Sequence, residues 1–98
     1  MGRYRISKRA IEDLNGIWDY TVAVWSEAQA VKYYNQIYTS IENLSENPGY
    51  KGLRYDFIKE GLRGYRVGHH IIFYKILSEN YISVDRILHE RMDYQRHL

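Results

Sequence analysis

Ninety-eight residues with a formal net charge of +2 are enough for one domain with one hydrophobic core. The chain has no cysteine, which excludes disulfides, thiolate metal sites and a thiol nucleophile, and fits a reducing, cytoplasmic setting. It shows no secretory apolar segment and no apolar run of the roughly 18 residues that a membrane span needs. We therefore expect a single domain over residues 1–98 that is cytoplasmic and has no membrane partner.

The basic side chains are concentrated in the second half of the chain. Residues 1–47 carry five Lys or Arg and six Asp or Glu (5 − 6 = −1), whereas residues 48–98 carry nine and six (9 − 6 = +3). This bias suits an acidic protein partner or nucleic acid without requiring either. The 11 tyrosines favour protein interfaces, because each ring combines an apolar body with a polar hydroxyl.

The first half of the chain predicts a short strand and two helices. Residues 3–7 alternate basic and apolar side chains, as an edge strand does. Ser7 suits the N-cap of a helix of about 16 to 18 residues, and Glu12 and Asp13 are placed to complement its dipole. The stripe that this helix should bury consists of Ala10, Ile11, Leu14, Ile17, Trp18, Val22 and Trp25.

A capping box at Ser26–Gln29 begins the second helix almost immediately, so the two helices should form an antiparallel hairpin. Residues 47–49, Asn-Pro-Gly, end this helix. Its predicted inner face consists of Ala30, Tyr34, Ile37, Tyr38, Ile41 and Leu44.

The second half predicts an antiparallel meander. Residues 47–60 follow neither period and should form a long loop, a feature that is often functional. Strands are expected at 62–67, 70–77 and 81–88, and the second should be central because it is apolar on both faces. The fold is therefore α+β, in the order βααβββ, with the helices on one face of the sheet. Loops or the C-terminal tail, residues 91–98, should partly cover the other face.

Alternation in the last strand places Ile82, Val84, Arg86 and Leu88 on one face. His69 and His70 should face opposite sides of the sheet and so cannot act as a pair. The segment from His89 begins like the zinc motif H-E-x-x-H, but Asp93 stands where the second histidine belongs. We expect neither a metal site nor another cofactor.

A small ribonuclease is the enzyme class worth testing. Its chemistry needs an acid, a base and cations that stabilise the negative charge of the phosphorane, and the chain could supply all three. Tyr74, His89, Tyr94 and His97 are candidates for the acid and base, and Arg63, Arg66 and Arg86 for the cations. The competing interpretation, which we favour, is structural: Arg86 holds the tail by pairing with Asp93 or Glu90.

Short motifs lie in a fixed order along almost the whole chain. They are Tyr4-Arg5-Ile6-Ser7 with Ala10, Asp13 and Leu14, then Gln29-Ala30, Asn47-Pro48, Gly61-Leu62-Arg63, His70-Ile71-Ile72-Phe73-Tyr74 and Arg86-Ile87-Leu88-His89-Glu90-Arg91-Met92-Asp93, followed by Tyr94-Gln95-Arg96-His97-Leu98. Together they resemble the ParE toxins, a branch of the RelE/ParE superfamily of bacterial toxin–antitoxin systems.

The resemblance implies a growth-arresting toxin of a type II system that poisons DNA gyrase without being an enzyme. It implies a ParD-like antitoxin that neutralises the toxin in a hetero-oligomer, and no DNA binding by the toxin alone. Two alternatives stay open: a RelE-type nuclease that cleaves mRNA on the ribosome, and a non-toxic member that only binds its antitoxin as a corepressor. Topoisomerase IV is an alternative target.

Two sets of residues are the predicted contacts of such a toxin. The antitoxin should bind apolar and basic side chains, and the target should bind the dense C-terminal motif. The antitoxin set is Trp18, Trp25, Tyr34, Tyr38, Arg63 and Arg66. The target set is Arg86, His89, Arg91, Asp93, Arg96 and His97.

Overall fold

The computed structural model describes residues 2–98 and confirms the α+β class, with the order βααβββ extended by one short strand and two short helices. The elements are β1 (Arg3–Ile6), α1 (Lys8–Val24), α2 (Glu27–Glu46), α3 (Pro48–Lys51), β2 (Leu53–Arg54), β3 (Leu62–Val67), β4 (His70–Ser78), β5 (Tyr81–His89) and α4 (Tyr94–His97). Within residues 2–98, none of the helices combines the length and hydropathy that a membrane crossing requires.

Both long helices begin at the predicted serines. The Oγ atom of Ser7 accepts from the backbone N–H of Ala10 at 3.0 Å, and that of Ser26 accepts from Gln29 N–H at 3.0 Å. The dipole role predicted for Glu12 and Asp13 is wrong, because neither lies in the first turn of α1 and the Asp13 carboxylate binds Arg86 instead. The connection is as short as expected, which makes α1 and α2 a hairpin.

The buried stripe of α1 is narrower than predicted. Ala10, Leu14 and Thr21 are buried, whereas the side chain of Trp25 is 72% exposed because the helix ends at Val24. Ile11 and Val22 are also exposed, contrary to the prediction. Several large apolar side chains of this helix are therefore left for contact with something outside the core.

The sheet has the strand order β1-β5-β4-β3-β2, which confirms β4 as the central strand. Neighbours from β2 to β5 pair antiparallel, as predicted for the meander. β1 joins the sheet parallel to β5, with Arg3 opposite Tyr81 and Ile6 opposite Val84. β1 is an edge strand, as its basic side chains suggested.

Each face of the sheet carries its own apolar cluster. The face under α1 and α2 is the main core, which includes Ala10, Leu14, Ile37, Ile41, Leu44, Ile72, Tyr74, Ile82, Val84 and Ile87. The opposite face, called here the tail face, has Leu62, Ile71, Phe73 and Leu88 packed under Tyr55, Ile58, Tyr94 and Leu98. The prediction that loops and the tail cover this second face is confirmed.

The prediction that Ile82, Val84, Arg86 and Leu88 share one face of β5 is wrong, because the pairing of β5 with β4 contains a register shift. Phe73 lies opposite Arg86 and Tyr74 opposite Val84, so two neighbouring residues of β4 face residues two apart in β5. The extra residue, Asp85, forms a β-bulge and reverses the alternation. Ile87 therefore joins the main core with Val84, whereas Leu88 belongs to the tail face.

The segment 47–60 is more ordered than the long loop predicted from its sequence. Pro48 begins the one-turn helix α3, and β2 follows it as an edge strand. The buried hydroxyl of Tyr74 donates to the carbonyl of Pro48 at 2.7 Å, and the Arg63 guanidinium donates to the carbonyl of Gly52 at 2.6 Å. Hydrogen bonds from side chains of β3 and β4 thus hold the segment 47–60 in place. Such contacts leave no periodic pattern in the sequence of the segment.

Candidate functional site: a cleft beside α1 and a docked tail

A cleft of about 930 Å³ lies between α1 and the end of the sheet where β4 begins and β5 ends. We call it the α1 cleft. Its apolar and aromatic lining includes Ile17, Tyr20, Trp25, Tyr33, Ile87 and Met92. Tyr20, Trp25 and Met92 are largely exposed, so the cleft is open to a partner rather than closed over by the chain.

Three histidines form one end of the α1 cleft. His70 lies opposite His89 across the strands, with ring centroids 5.3 Å apart, and the rings of His69 and His89 are stacked at 6.2 Å. The prediction that His69 and His70 face opposite sides is wrong, because His69 belongs to the β3–β4 turn, where strand alternation does not apply. Burial, together with the neighbouring His89 and His69, lowers the pKa of His70 to about 4.

Glu90 closes the rim beside these histidines. Its Oε2 atom lies 2.6 Å from Nδ1 of His69, and its Oε1 atom accepts from the guanidinium of Arg66. The hydrogen bond from His69, reinforced by the charge of Arg66, holds the pKa of Glu90 below its ordinary value. Arg66 also donates to the carbonyl of Gly68, so its guanidinium is already engaged within the chain.

Asp13 forms the opposite wall of the cleft and is the centre of a hydrogen-bond network. Its two carboxylate oxygens accept from Nε and Nη2 of Arg86 at 2.8 and 2.9 Å, and one also accepts from the backbone N–H of Ile87 at 2.9 Å. Both charged side chains are nearly buried, at 12% exposed for Arg86 and 14% for Asp13. The hydrogen bonds to Asp13 raise the pKa of the Arg86 guanidinium.

The structural interpretation of Arg86 is confirmed, although its partner is not Asp93 or Glu90. The carboxylate comes from Asp13, which lies 73 positions away in the sequence. The third nitrogen of Arg86 donates to the carbonyl of His97 at 2.8 Å, so the residue does hold the tail.

The tail is docked on the tail face of the sheet. Tyr94 packs edge-on against Phe73 with centroids 5.1 Å apart, and its hydroxyl donates to the carbonyl of Glu90 at 2.6 Å. Leu98 packs against the same cluster. The exposed residues of the predicted target set are Arg91, Asp93 and Arg96.

The predicted antitoxin set does not form one surface. Trp18 of α1 meets Tyr34 of α2 edge to face with centroids 5.7 Å apart, and Tyr34 lies 5.0 Å from the tilted ring of Tyr38. Trp25 lies at the α1 cleft, Arg66 lies at its histidine end, and Arg63 binds backbone carbonyls near α3. The sequence prediction missed Tyr20, Ile87 and Met92 as cleft residues; an aromatic residue outside the predicted buried stripe of α1 was the available signal for Tyr20.

The candidate ribonuclease groups are also placed apart. His89 lies in the α1 cleft, Tyr94 lies on the tail face, and Tyr74 is buried in the main core. Burial raises the pKa of the Tyr74 phenol, which makes it a poor acid. In the part of the chain that the structure describes, no group of three or more His, Asp or Glu side chains is arranged to hold a metal ion.

Comparison with solved structures identifies the class of fold. A chain of a chromosomal ParDE toxin–antitoxin system from P. aeruginosa superposes with a TM-score of 0.73 at 19% identity, covering 91% of this chain and 95% of that one. A chain of the toxin–antitoxin complex RelBE2 from Mycobacterium tuberculosis gives a TM-score of 0.60 at 22% identity, covering 90% and 96%. The fold is thus that of the ParE and RelE toxins.

Sequence comparison identifies the family within this class. The model of the "ParE toxin of type II toxin-antitoxin system, parDE" matches residues 4–94. Toxin ParE1 of Mycobacterium tuberculosis is 38% identical over 96 residues, covering 98% of this chain and 97% of the relative, and Toxin ParE1 of Caulobacter vibrioides is 34% identical over 98 residues, covering 100% and 99%. The chain belongs to the ParE toxin family of type II toxin–antitoxin systems.

Replacing Asp13 with Asn should lower the free energy of unfolding by about 2–3 kcal/mol, because it leaves a nearly buried guanidinium without its counter-charge. Chemical denaturation followed by circular dichroism measures this change. Asp19→Asn is the matched control, since Asp19 is exposed on the same helix and should change stability by less than about 0.5 kcal/mol. Equal losses in the two variants would show that the Asp13–Arg86 pair is not a stabilising contact.

Stability should fall as the pH is lowered from about 6.5 to about 4. In this window the unfolded chain takes up a proton at His70 that the folded chain, with its lowered pKa, does not, so protonation favours unfolding. Denaturation across this range should show a steeper loss for the natural protein than for His70→Gln. Gln95→Asn, at an exposed position in the tail that carries no titratable group, serves as the control and should keep the natural slope; a His70→Gln profile identical to it would contradict the prediction.

Proposed function

We propose that the protein is a cytoplasmic toxin that arrests growth by poisoning DNA gyrase, and that a ParD-like antitoxin neutralises it in a hetero-oligomer. The observation that carries this proposal is the match to ParE toxins over residues 4–94. The solved relatives that share the fold come from toxin–antitoxin systems, which supports an antitoxin as the physiological partner.

The α1 cleft is the proposed antitoxin site. It is bounded by exposed aromatic side chains on α1 and by apolar residues of β5, the arrangement that receives the apolar face of a helix. Trp25 is the only member of the predicted antitoxin set that both lines the cleft and has most of its side chain exposed, so we assign it the largest share of the contact.

A mode of action without catalysis is supported by the separation of the candidate ribonuclease groups. General acid–base cleavage of RNA needs two titratable groups within reach of one phosphodiester. His89 and Tyr94 belong to surfaces on different sides of the sheet, and the Tyr74 hydroxyl is bonded inside the core. These three candidates therefore do not form one acid–base site, and the cluster of His69, His70 and His89 in the α1 cleft is the group whose chemistry the mRNA-cleavage assay tests.

The test of the gyrase proposal is supercoiling of relaxed plasmid by purified gyrase with added toxin. We expect inhibition with accumulation of cleaved DNA, reversed by the antitoxin, and no cleavage of mRNA on ribosomes. The same assay with topoisomerase IV identifies the preferred target. Cleaved mRNA with untouched gyrase would overturn the proposal in favour of a nuclease, and a folded, harmless protein that still binds antitoxin would leave only the corepressor role.

Trp25→Ala and Tyr20→Ala should each weaken antitoxin binding about 10-fold to 100-fold, because truncation removes an aromatic anchor of the cleft. Calorimetric titration of the antitoxin into the toxin measures the effect. Val31→Ala is the matched control, as an exposed apolar residue on α2, and should bind like the natural protein. Unchanged affinity in both aromatic variants would place the antitoxin elsewhere.

A further inference from the structure

Two of the most exposed large apolar side chains lie four positions apart in the sequence, Leu53 in the edge strand β2 and Phe57 in the turn that follows it. Phe57 is 75% exposed and Leu53 is 70% exposed. We call residues 53–58 the tip. An exposed Phe and Leu in one short segment offer apolar area that a binding partner can remove from water at a gain of roughly 25 cal/mol per Å².

The tip is held rigidly although its side chains are exposed. The N–H of Tyr55 donates to Leu62 O at 2.8 Å, and the N–H groups of Ile58 and Lys59 both donate to Tyr55 O, at 3.0 and 3.2 Å. Asp56 accepts from Gly61 N–H at 2.9 Å, and Gly61 adopts the left-handed conformation, with φ at 78°, that this turn requires.

Asp56 also forms an ion pair with Arg54 at the base of the turn. Its second oxygen accepts from Nε of Arg54 at 2.7 Å. The hydrogen bond from Gly61 N–H, followed by that from Arg54, lowers the pKa of Asp56. The carboxylate therefore stays ionised and the turn stays closed at physiological pH.

Phe57 stands at the outer end of a series of aromatic rings. Its ring lies 5.5 Å from Tyr55, which lies 5.2 Å from the buried ring of Phe73, and Phe73 lies 5.1 Å from Tyr94 of the tail. A side chain supported in this way loses little conformational freedom on binding, which is the property of an interface anchor.

The tip and the tail share one surface. Tyr55 and Ile58 pack on the same cluster as Tyr94 and Leu98, on the tail face. The α1 cleft is lined instead by α1, by Gln29 and Tyr33 of α2, by the β3–β4 turn and by the end of β5, and it meets the tail side at Leu88 and Met92. An antitoxin in the cleft and a second protein on the tip would therefore contact largely different parts of the molecule.

The charges around the tip indicate the chemistry of the second protein. Arg54 and Asp56 neutralise each other, and the remaining exposed charges that flank the tip or lie in the tail are Lys51, Lys59, Glu60, Arg91, Asp93 and Arg96. Four of these are basic and two are acidic. The charges that flank the tip in the sequence or lie in the tail thus sum to +2 (4 − 2), which fits an apolar pocket with an acidic rim.

We propose that Phe57 and Leu53 anchor the toxin in such a pocket on its protein target, beside the docked tail. This inference rests on the proposed function, because it assigns the tip to the target and the α1 cleft to the antitoxin. The proposal extends the predicted target contact from the C-terminal motif to the tip.

The experiment compares Phe57→Ala and Leu53→Ala with the natural protein in three measurements: growth arrest on induction, gyrase supercoiling, and calorimetric affinity for the antitoxin. We expect the concentration for half-inhibition of gyrase to rise roughly 10-fold to 30-fold and growth arrest to weaken, with antitoxin affinity unchanged within about twofold. Unchanged antitoxin binding also shows that the variants are folded. Leu77→Ala, at an exposed leucine near the end of β4, is the control and should retain full activity.

The outcomes separate the two proposals. If the natural protein inhibits gyrase and both tip variants inhibit it equally well, the tip is not the target contact while the proposed function stands. If the tip variants lose antitoxin affinity instead, the tip belongs to the antitoxin site and the inference is overturned. If the natural protein neither arrests growth nor inhibits gyrase, the proposed function fails and this inference fails with it.

Discussion

The ion pair between Asp13 and Arg86 joins α1 to the end of β5 and to the tail, across 73 positions of the sequence. β1 ends at Ile6, so the outer edge of β5 beyond that point has no neighbouring strand, and Asp13 accepts the N–H of Ile87 there in place of one. The same carboxylate binds Arg86, whose remaining nitrogen holds the carbonyl of His97. α1, the end of β5 and the tail are thus fixed by one network in a nearly dry position, where charged hydrogen bonds are strongest.

This network lies between the two surfaces that we propose as the partner sites. On one side Asp13 and Ile87 form part of the α1 cleft; on the other, the carbonyl of His97 belongs to the tail that packs beside the tip. Met92, near the start of the tail, also lines the α1 cleft. A partner bound in the α1 cleft would therefore contact the segment that connects β5 to the tail.

Local patterns in the sequence predicted the local structure well. The serines at positions 7 and 26 cap the helices because a cap needs only the next turn, and β3 begins and ends at the predicted residues because alternation and Gly68 mark it. Features that depend on distant residues were not predictable. Asp13 carries no sign that its partner is Arg86, and the bulge at Asp85 that reverses β5 arises from pairing with β4 rather than from its own sequence. Of the predicted antitoxin set, Trp25 lines the α1 cleft, whereas Ile87 and Met92 reach it from parts of the chain that no single sequence period connects with α1.

The central claim is that the antitoxin and the target bind different surfaces of the toxin, the α1 cleft and the tip with the tail. Amide hydrogen exchange of the toxin, measured once with bound antitoxin and once with bound gyrase, tests this claim directly. We expect the antitoxin to slow exchange in the second half of α1, in the β3–β4 turn and at residues 87–92, and gyrase to slow exchange at residues 53–62 and in α4. The same protected segments in both complexes, or protection by gyrase confined to the α1 cleft, would contradict it.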